Sequence, residues 1–146
     1  MIDNFSECIE NIYSKVDKKI LLHQLYKPSL KEGIRRENLS PVNQSLQVSF
    51  LTMKKNQTFK AHKHIIFNRN MPIAQESWVV ISGRVKVFYY DLDDTLIFSR
   101  EVESGSCTIT YRGGHHYQSL EENTVVYEFK TGPYFGIDKD KVFLNI

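Results

Sequence analysis

The sequence predicts a mainly β protein carrying an N-terminal helical extension. Three observations predict it. From about residue 45 the chain is a succession of short runs rich in β-branched and aromatic residues. Turn-forming segments, "SG", "DLDD", "ESG" and "EEN", separate those runs. No helical apolar pattern falls between them, which points to an antiparallel sandwich or barrel rather than alternating strands and helices.

Taken in order, residues 1–26 read as helical. Ile2, Phe5, Ile9, Ile12 and Val16 recur at spacings of three and four, and Ile20, Leu21 and Leu25 continue the stripe. Asp3 or Asn4 suits the cap of a first helix, and Asp17 the start of a second. The segment "KPSLKEG" breaks the pattern, so residues 1–33 are assigned to the extension and 34–146 to one β domain. His23 stands alone on this segment and reads as a packed or surface histidine. "SLQVSFLTM" is strand-like, and a turn at Lys55–Asn56 leads to "QTFKAHKHIIF". "SWVVI", "RVKVFYYD", "TLIFSREV", "SCTITY" and "TVVYEFK" complete the set, and no proline interrupts any of them.

The bulk numbers restrict the function classes. A chain of 146 residues, 41% hydrophobic, suits a single packed core and excludes a disordered chain. A net charge of +2 is too small to argue for a nucleic-acid partner. The basic stretches "KVDKK" and "KEGIRRE" are interrupted by acids and read as solvated faces. No apolar run is long enough to cross a bilayer and no basic-then-apolar leader opens the chain, so a soluble cytoplasmic protein is expected. Cys8 and Cys107 lie far apart with no CxxC spacing, which predicts neither a disulfide framework nor a zinc knuckle. Cys107 alternates with Ile109 and reads as a buried thiol.

The residues that point to chemistry are histidines and one carboxylate. On a strand, positions two apart face one side, so His62 and His64 point together, as do Glu76, Trp78 and Val80. Two imidazoles at that spacing can grip one cation, although an HxH pair by itself is a weak signal. A further histidine lies in "YRGGHHYQ". It is His115 or His116, and the spacing alone leaves open which of them faces inward. In "TVVYEFK" the apolar set Val125, Tyr127 and Phe129 reads as a packed face, which puts Glu128 and Lys130 at the surface or in a cavity, the surface being preferred. Trp78 is expected in core packing beside Glu76. Arg112 and His115 sit in the Gly-rich loop, and Tyr134 follows "GP", where it could close over an opening.

The spacing of Glu76 to Gly83, and of Gly105 to Tyr111, Gly113 and His116, together with "HKH", resembles the two-part signature of the cupins. The resemblance implies a small double-stranded β-helix, an RmlC-like jelly-roll barrel. It also implies one divalent metal ion held by His62, His64, Glu76 and His116. Asn56 stands where that pattern has a glycine, Tyr111 where it has a proline, and Leu120 where it has an asparagine. The stretch "IFNRNMPIAQ" is longer than the usual spacer and implies a loop at the barrel mouth. "RRENLS", "ESWVVISGRVKVFYYDLDD" and "TVVYEFKTGPY" followed by "DKDK" look like the WbuC-type cupin metalloproteins of lipopolysaccharide and capsule gene clusters. Ser40 stands near where those proteins have a histidine.

The resemblance leads to three functional expectations. The first is a metal-dependent enzyme acting on a sugar or nucleotide-sugar intermediate of surface polysaccharide synthesis, such as an isomerase or epimerase. The ion would be Fe, Mn, Ni, Co or Zn, since three imidazoles and a carboxylate form a borderline-to-hard ligand set. The second is an Fe(II)-dependent dioxygenase. The third is a non-catalytic sugar- or metal-binding module, or a metal-free isomerase-like cupin using a His and a Tyr. Gln118, Arg112, His115, Glu128, Lys130 and Tyr134 are the residues expected around the ligands, and a homodimer is expected because sheet edges need cover.

Overall fold

The computed structural model describes residues 9–27, 36–52, 54–64 and 72–145. Among these the protein is mainly β, with every strand pairing antiparallel. In chain order the strands are β1 (Ile9–Tyr13), β2 (Leu21–Tyr26), β3 (Arg36–Asn38), β4 (Ser49–Leu51), β5 (Glu76–Ser82), β6 (Arg84–Tyr90), β7 (Leu96–Glu103), β8 (Cys107–Thr110), β9 (Gly114–Ser119) and β10 (Val125–Lys130). One short helix, α1 (Ile137–Asp140), follows. The strands form a five-stranded sheet in the order β1-β2-β8-β5-β10, a three-stranded sheet β7-β6-β9, and a two-stranded sheet β3-β4.

The core lies between the two larger sheets. Ile12, Leu25 and Val80 from the five-stranded sheet meet Val85, Val87, Tyr89 and Val102 from the three-stranded one. The other face of the five-stranded sheet is covered near β2 and β8. There Tyr26, Cys107 and Ile109 pack with Leu39 and Tyr111, and with Val48 and Phe50 around β4. Cys107 is buried against the Ser77 hydroxyl, 3.3 Å away, and burial pushes its thiol pKa up. Cys8 lies outside the described residues.

The helical expectation for residues 1–26 is corrected over 9–26, where the chain forms an antiparallel hairpin, with Ile9 opposite Tyr26 and Ile12 opposite His23. Residues 1–8 lie outside the described residues, as do Asp3 and Asn4. β2 pairs with β8 from His23↔Thr110 to Tyr26↔Cys107, so this segment belongs to the main sheet rather than standing outside it. The physical reason is burial on both faces. Leu22, His23, Gln24, Leu25 and Tyr26 are all buried, and a strand covered on both sides has no alternation to distinguish it from a helix. Asp17, read as a helix start, instead holds the hairpin turn, its carboxylate accepting the Lys19 N–H.

Two turns bear on the site. Gly83 lies between β5 and β6 with φ +82°, where the chain passes from one large sheet to the other. A Cβ there would lie 2.4 Å from Thr124 Oγ1. Asn56 has φ 63°, the left-handed conformation its place in the turn requires. The strand expected over "QTFKAHKHIIF" does not form at 57–64, which has no regular structure. Residues 65–67, and most of the expected loop "IFNRNMPIAQ", lie outside the described residues.

Candidate functional site

The strand register decides which polar side chains share the space between the sheets. β5 pairs with β8 and β10, so Glu76 has Thr110 on one side and Lys130 on the other, and Trp78 has Thr108 and Glu128. Cross-strand neighbours face the same side of a sheet, so Glu76, Trp78, Thr108, Thr110, Glu128 and Lys130 form one patch. β9 faces it from the other sheet. In its pairing with β6, His116 is opposite Phe88 and His115 opposite Tyr89. Tyr89 is fully buried in the core, so His115 and Tyr117 point inward while His116 and Gln118 point out.

The contacts agree with that parity. His115 Nε2 lies 3.1 Å from Glu76 Oε1. The Trp78 indole N–H donates to Glu76 Oε1 at 2.9 Å and to Glu128 Oε2 at 3.2 Å. The indole stacks on the Tyr117 ring, with centroids 4.0 Å apart, and the Tyr117 hydroxyl bonds Thr108 Oγ1 at 2.9 Å. Behind them, His23 is fully buried, its Nδ1 3.1 Å from Thr110 Oγ1 and its Nε2 3.3 Å from the Tyr90 carbonyl. A carbonyl only accepts, so Nε2 carries the proton and Nδ1 accepts from Thr110.

Burial and partners set the charges. Burial alone pushes Glu76 up. The hydrogen bond and charge of His115, the Trp78 N–H and the charge of Lys141 together hold it below the usual carboxylate range. Burial pushes the His23 pKa down to about 3, against the hydrogen bond to Tyr90, so this ring is neutral. Burial also holds the Tyr117 phenol well above its ordinary value. The donor side of the cluster is therefore a neutral phenol and its acceptor side an ionised carboxylate.

The expected ligand set is not assembled in this arrangement. His116 is exposed, stacked on Phe88 with centroids 5.0 Å apart, on the outward face with Gln118. His62 and His64 are exposed on the irregular segment, their rings 5.5 Å apart, with His62 Nδ1 3.0 Å from the Lys60 carbonyl. Among the described residues, no three His, Cys, Asp or Glu side chains converge as a metal site would need. The β6–β9 register turns His116 away from Glu76. Arg112 is exposed, with its backbone N–H bonding the Leu22 carbonyl.

Of the two residues for which the surface was preferred, Glu128 is exposed as expected, while Lys130 is half-buried. Glu128 bonds Trp78, and Lys130 bonds Asp140 at 3.0 Å and lies 4.2 Å from the centroid of Tyr134. The apolar set that was expected to pack is exposed instead, with Tyr127 at 61% and Phe129 at 55% of full exposure. Sequence reasoning missed Tyr117, Thr108 and Thr110. Tyr117 follows His115 at strand spacing, which would have flagged it once His115 was placed inward. A shallow concavity of about 540 Å³ over Ser119–Thr124 lies at the far end of β9 from Gly114 and contains none of these groups.

The fold and the cluster define a class: an antiparallel β protein with a histidine–carboxylate contact and a stacked Trp–Tyr pair between two sheets. No protein-family model, curated protein or solved structure matches the chain. No helix among the described residues is long and apolar enough to cross a membrane.

Proposed function

We propose that the chain is a double-stranded β-helix of the cupin kind that moves protons on a sugar or nucleotide-sugar intermediate of surface polysaccharide synthesis in the cytoplasm. The observation that carries this reading is the His115–Glu76 contact. An ionised carboxylate only accepts, so it holds the His115 proton on Nε2 and leaves Nδ1 as an acceptor. That Nδ1 is buried and has no hydrogen-bond partner. Glu76 is then a positioning residue, and His115 Nδ1 is the base. Tyr117, two residues along the same face, supplies the acid.

In an isomerisation or epimerisation, Nδ1 takes the proton from the carbon beside a carbonyl. The C–H electron pair forms the C=C bond, the carbonyl π pair moves to oxygen, and that oxygen takes the Tyr117 proton. Reversal at the neighbouring carbon, or from the other face of the same carbon, gives the product. The Trp78 ring beside Tyr117 offers an apolar surface to the C–H face of a sugar. The test is exchange of the α-proton of keto-sugar nucleotides for deuterium, followed by NMR. His115→Ala is expected to slow exchange by about 10²-fold or more, and His116→Ala to leave it unchanged. Equal effects of the two, or no exchange across the panel with wild-type protein, would overturn the reading.

A divalent ion is a second reading, favoured by the convergence of Glu76 and His115 on one point. It takes His115 in place of His116 as the distal ligand and adds His62 and His64 from their segment. Elemental analysis tests it: one equivalent of metal that is lost in His115→Ala and retained in His116→Ala. A homodimer is also proposed, supported by the exposed side chains of Val125, Tyr127 and Phe129 on β10. Light scattering at the mass of two chains checks it, and a monomer contradicts it.

A further inference from the structure

The C-terminal segment after β10 joins the two large sheets at the open end of the cluster. It is fixed at two points. Asp140, at the end of α1, pairs with Lys130, and both side chains are largely shielded, at 13% and 22% exposure. Lys130 is the cross-strand neighbour of Glu76 in the five-stranded sheet. Four residues on, Leu144 Cδ1 occupies the place a side chain would take at Gly114, 2.6 Å from where a Cβ would stand. Gly114 is the first residue of β9 in the opposite sheet and directly precedes His115. Between these points Val142 and Phe143 are 86% and 78% exposed, so only Asp140 and Leu144 turn inward.

The length fits that path. Lys141 is extended, with φ −149° and ψ 160°. Four extended residues reach about 13 Å, enough to cross the roughly 10 Å between stacked sheets. The charge of Lys141 is felt at Glu76, which agrees with a segment passing over the carboxylate. The motif "TVVYEFKTGPY" with "DKDK" thereby acquires a physical role: Lys130 of its first part pairs with Asp140 of its second, and Tyr134 lies against the Lys130 ammonium.

We infer that Gly136–Asn145 is a strap forming the outer wall of the Glu76–His115 site, latched by Lys130–Asp140 and by Leu144 seated on Gly114, and that it lifts to admit a ligand. The inference rests on the proposed role of that site, yet its test needs no ligand. Trp78 is the protein's single tryptophan, so its emission reports on the cluster. The measurement is acrylamide quenching of Trp78 in the full chain, with far-UV circular dichroism as the folding control.

Asp140→Asn and Leu144→Ala are expected to raise the quenching constant at least about twofold, because each releases one anchor of a locally opening segment. Exchanging the charges, Lys130→Asp with Asp140→Lys, restores it toward wild type. Quenching constants equal to wild type in both single variants would overturn the strap. Leu144→Ala changes only a half-buried side chain outside the sheets, so it keeps the test decisive if Asp140→Asn does not fold. Because quenching is read without substrate, a null result here leaves the deuterium-exchange test of His115 standing, and the converse also holds.

Discussion

The tautomers of His115 and His23 are consequences of what each ring touches, while burial keeps His23 neutral. Glu76 accepts from the Nε2–H of one, and the Tyr90 carbonyl accepts from the Nε2–H of the other. The folded pKa of His23, about 3, lies below its ordinary value of 6.5, so below pH 6.5 the unfolded chain binds a proton that the folded chain does not. Stability is therefore lost as pH falls from about 6.5 toward about 3, at about 1.4 kcal/mol per pH unit from this group. Urea denaturation at a series of pH values checks it. His23→Gln should flatten the slope in this window, and an unchanged slope would contradict the assignment. Glu76 acts lower on the scale. Its depressed pKa contributes stability that is complete above the unfolded carboxylate value and is lost as pH falls through the folded one. Glu76→Gln should remove that acid-side loss.

The pair "HH" shows why the site was only partly legible in the sequence. Strand parity put Glu76 and Trp78 on one face, and the structure has them there. Parity within "GGHHYQ" was equally firm, but its absolute sense depends on which residue of β6 lies opposite, and that is a long-range register. Spacing therefore left His115 and His116 open, and the register sets His115 against Glu76. β10 failed for a related reason. Tyr127 and Phe129 are apolar, yet they face outward because Glu128 and Lys130 find partners in Trp78 and Asp140. Inserting one residue into β9 before His115 should exchange the roles of the two faces. Core packing of Tyr117 would then be lost, and the melting temperature should fall by several degrees, consistent with about 2–5 kcal/mol for losing a large buried side chain. The turn at Gly83 is as exacting: Gly83→Ala meets both a positive φ and Thr124, and should cost at least about 1 kcal/mol in denaturant unfolding.

For the whole molecule, composition and turn spacing were enough to predict a mainly antiparallel β protein, and the three sheets agree with that. The N-terminal segment escaped because a strand inserted between two others carries no alternation, and its apolar positions fit a helix as well. Far-UV circular dichroism should accordingly show a β spectrum with little helical signal. Leu25→Ala, in β2 at the core, should destabilise the entire fold by about 2–5 kcal/mol rather than detach a separate extension. The measurement that bears most directly on the central claim is the tautomer of the two adjacent histidines, read by long-range ¹H–¹⁵N correlation at mildly alkaline pH. The account predicts His115 as a single Nε2–H tautomer with an unprotonated Nδ1, and predicts that Glu76→Gln changes the chemical shifts of this ring and not those of His116. A proton on His115 Nδ1, or a response to Glu76→Gln at His116 instead, would contradict it.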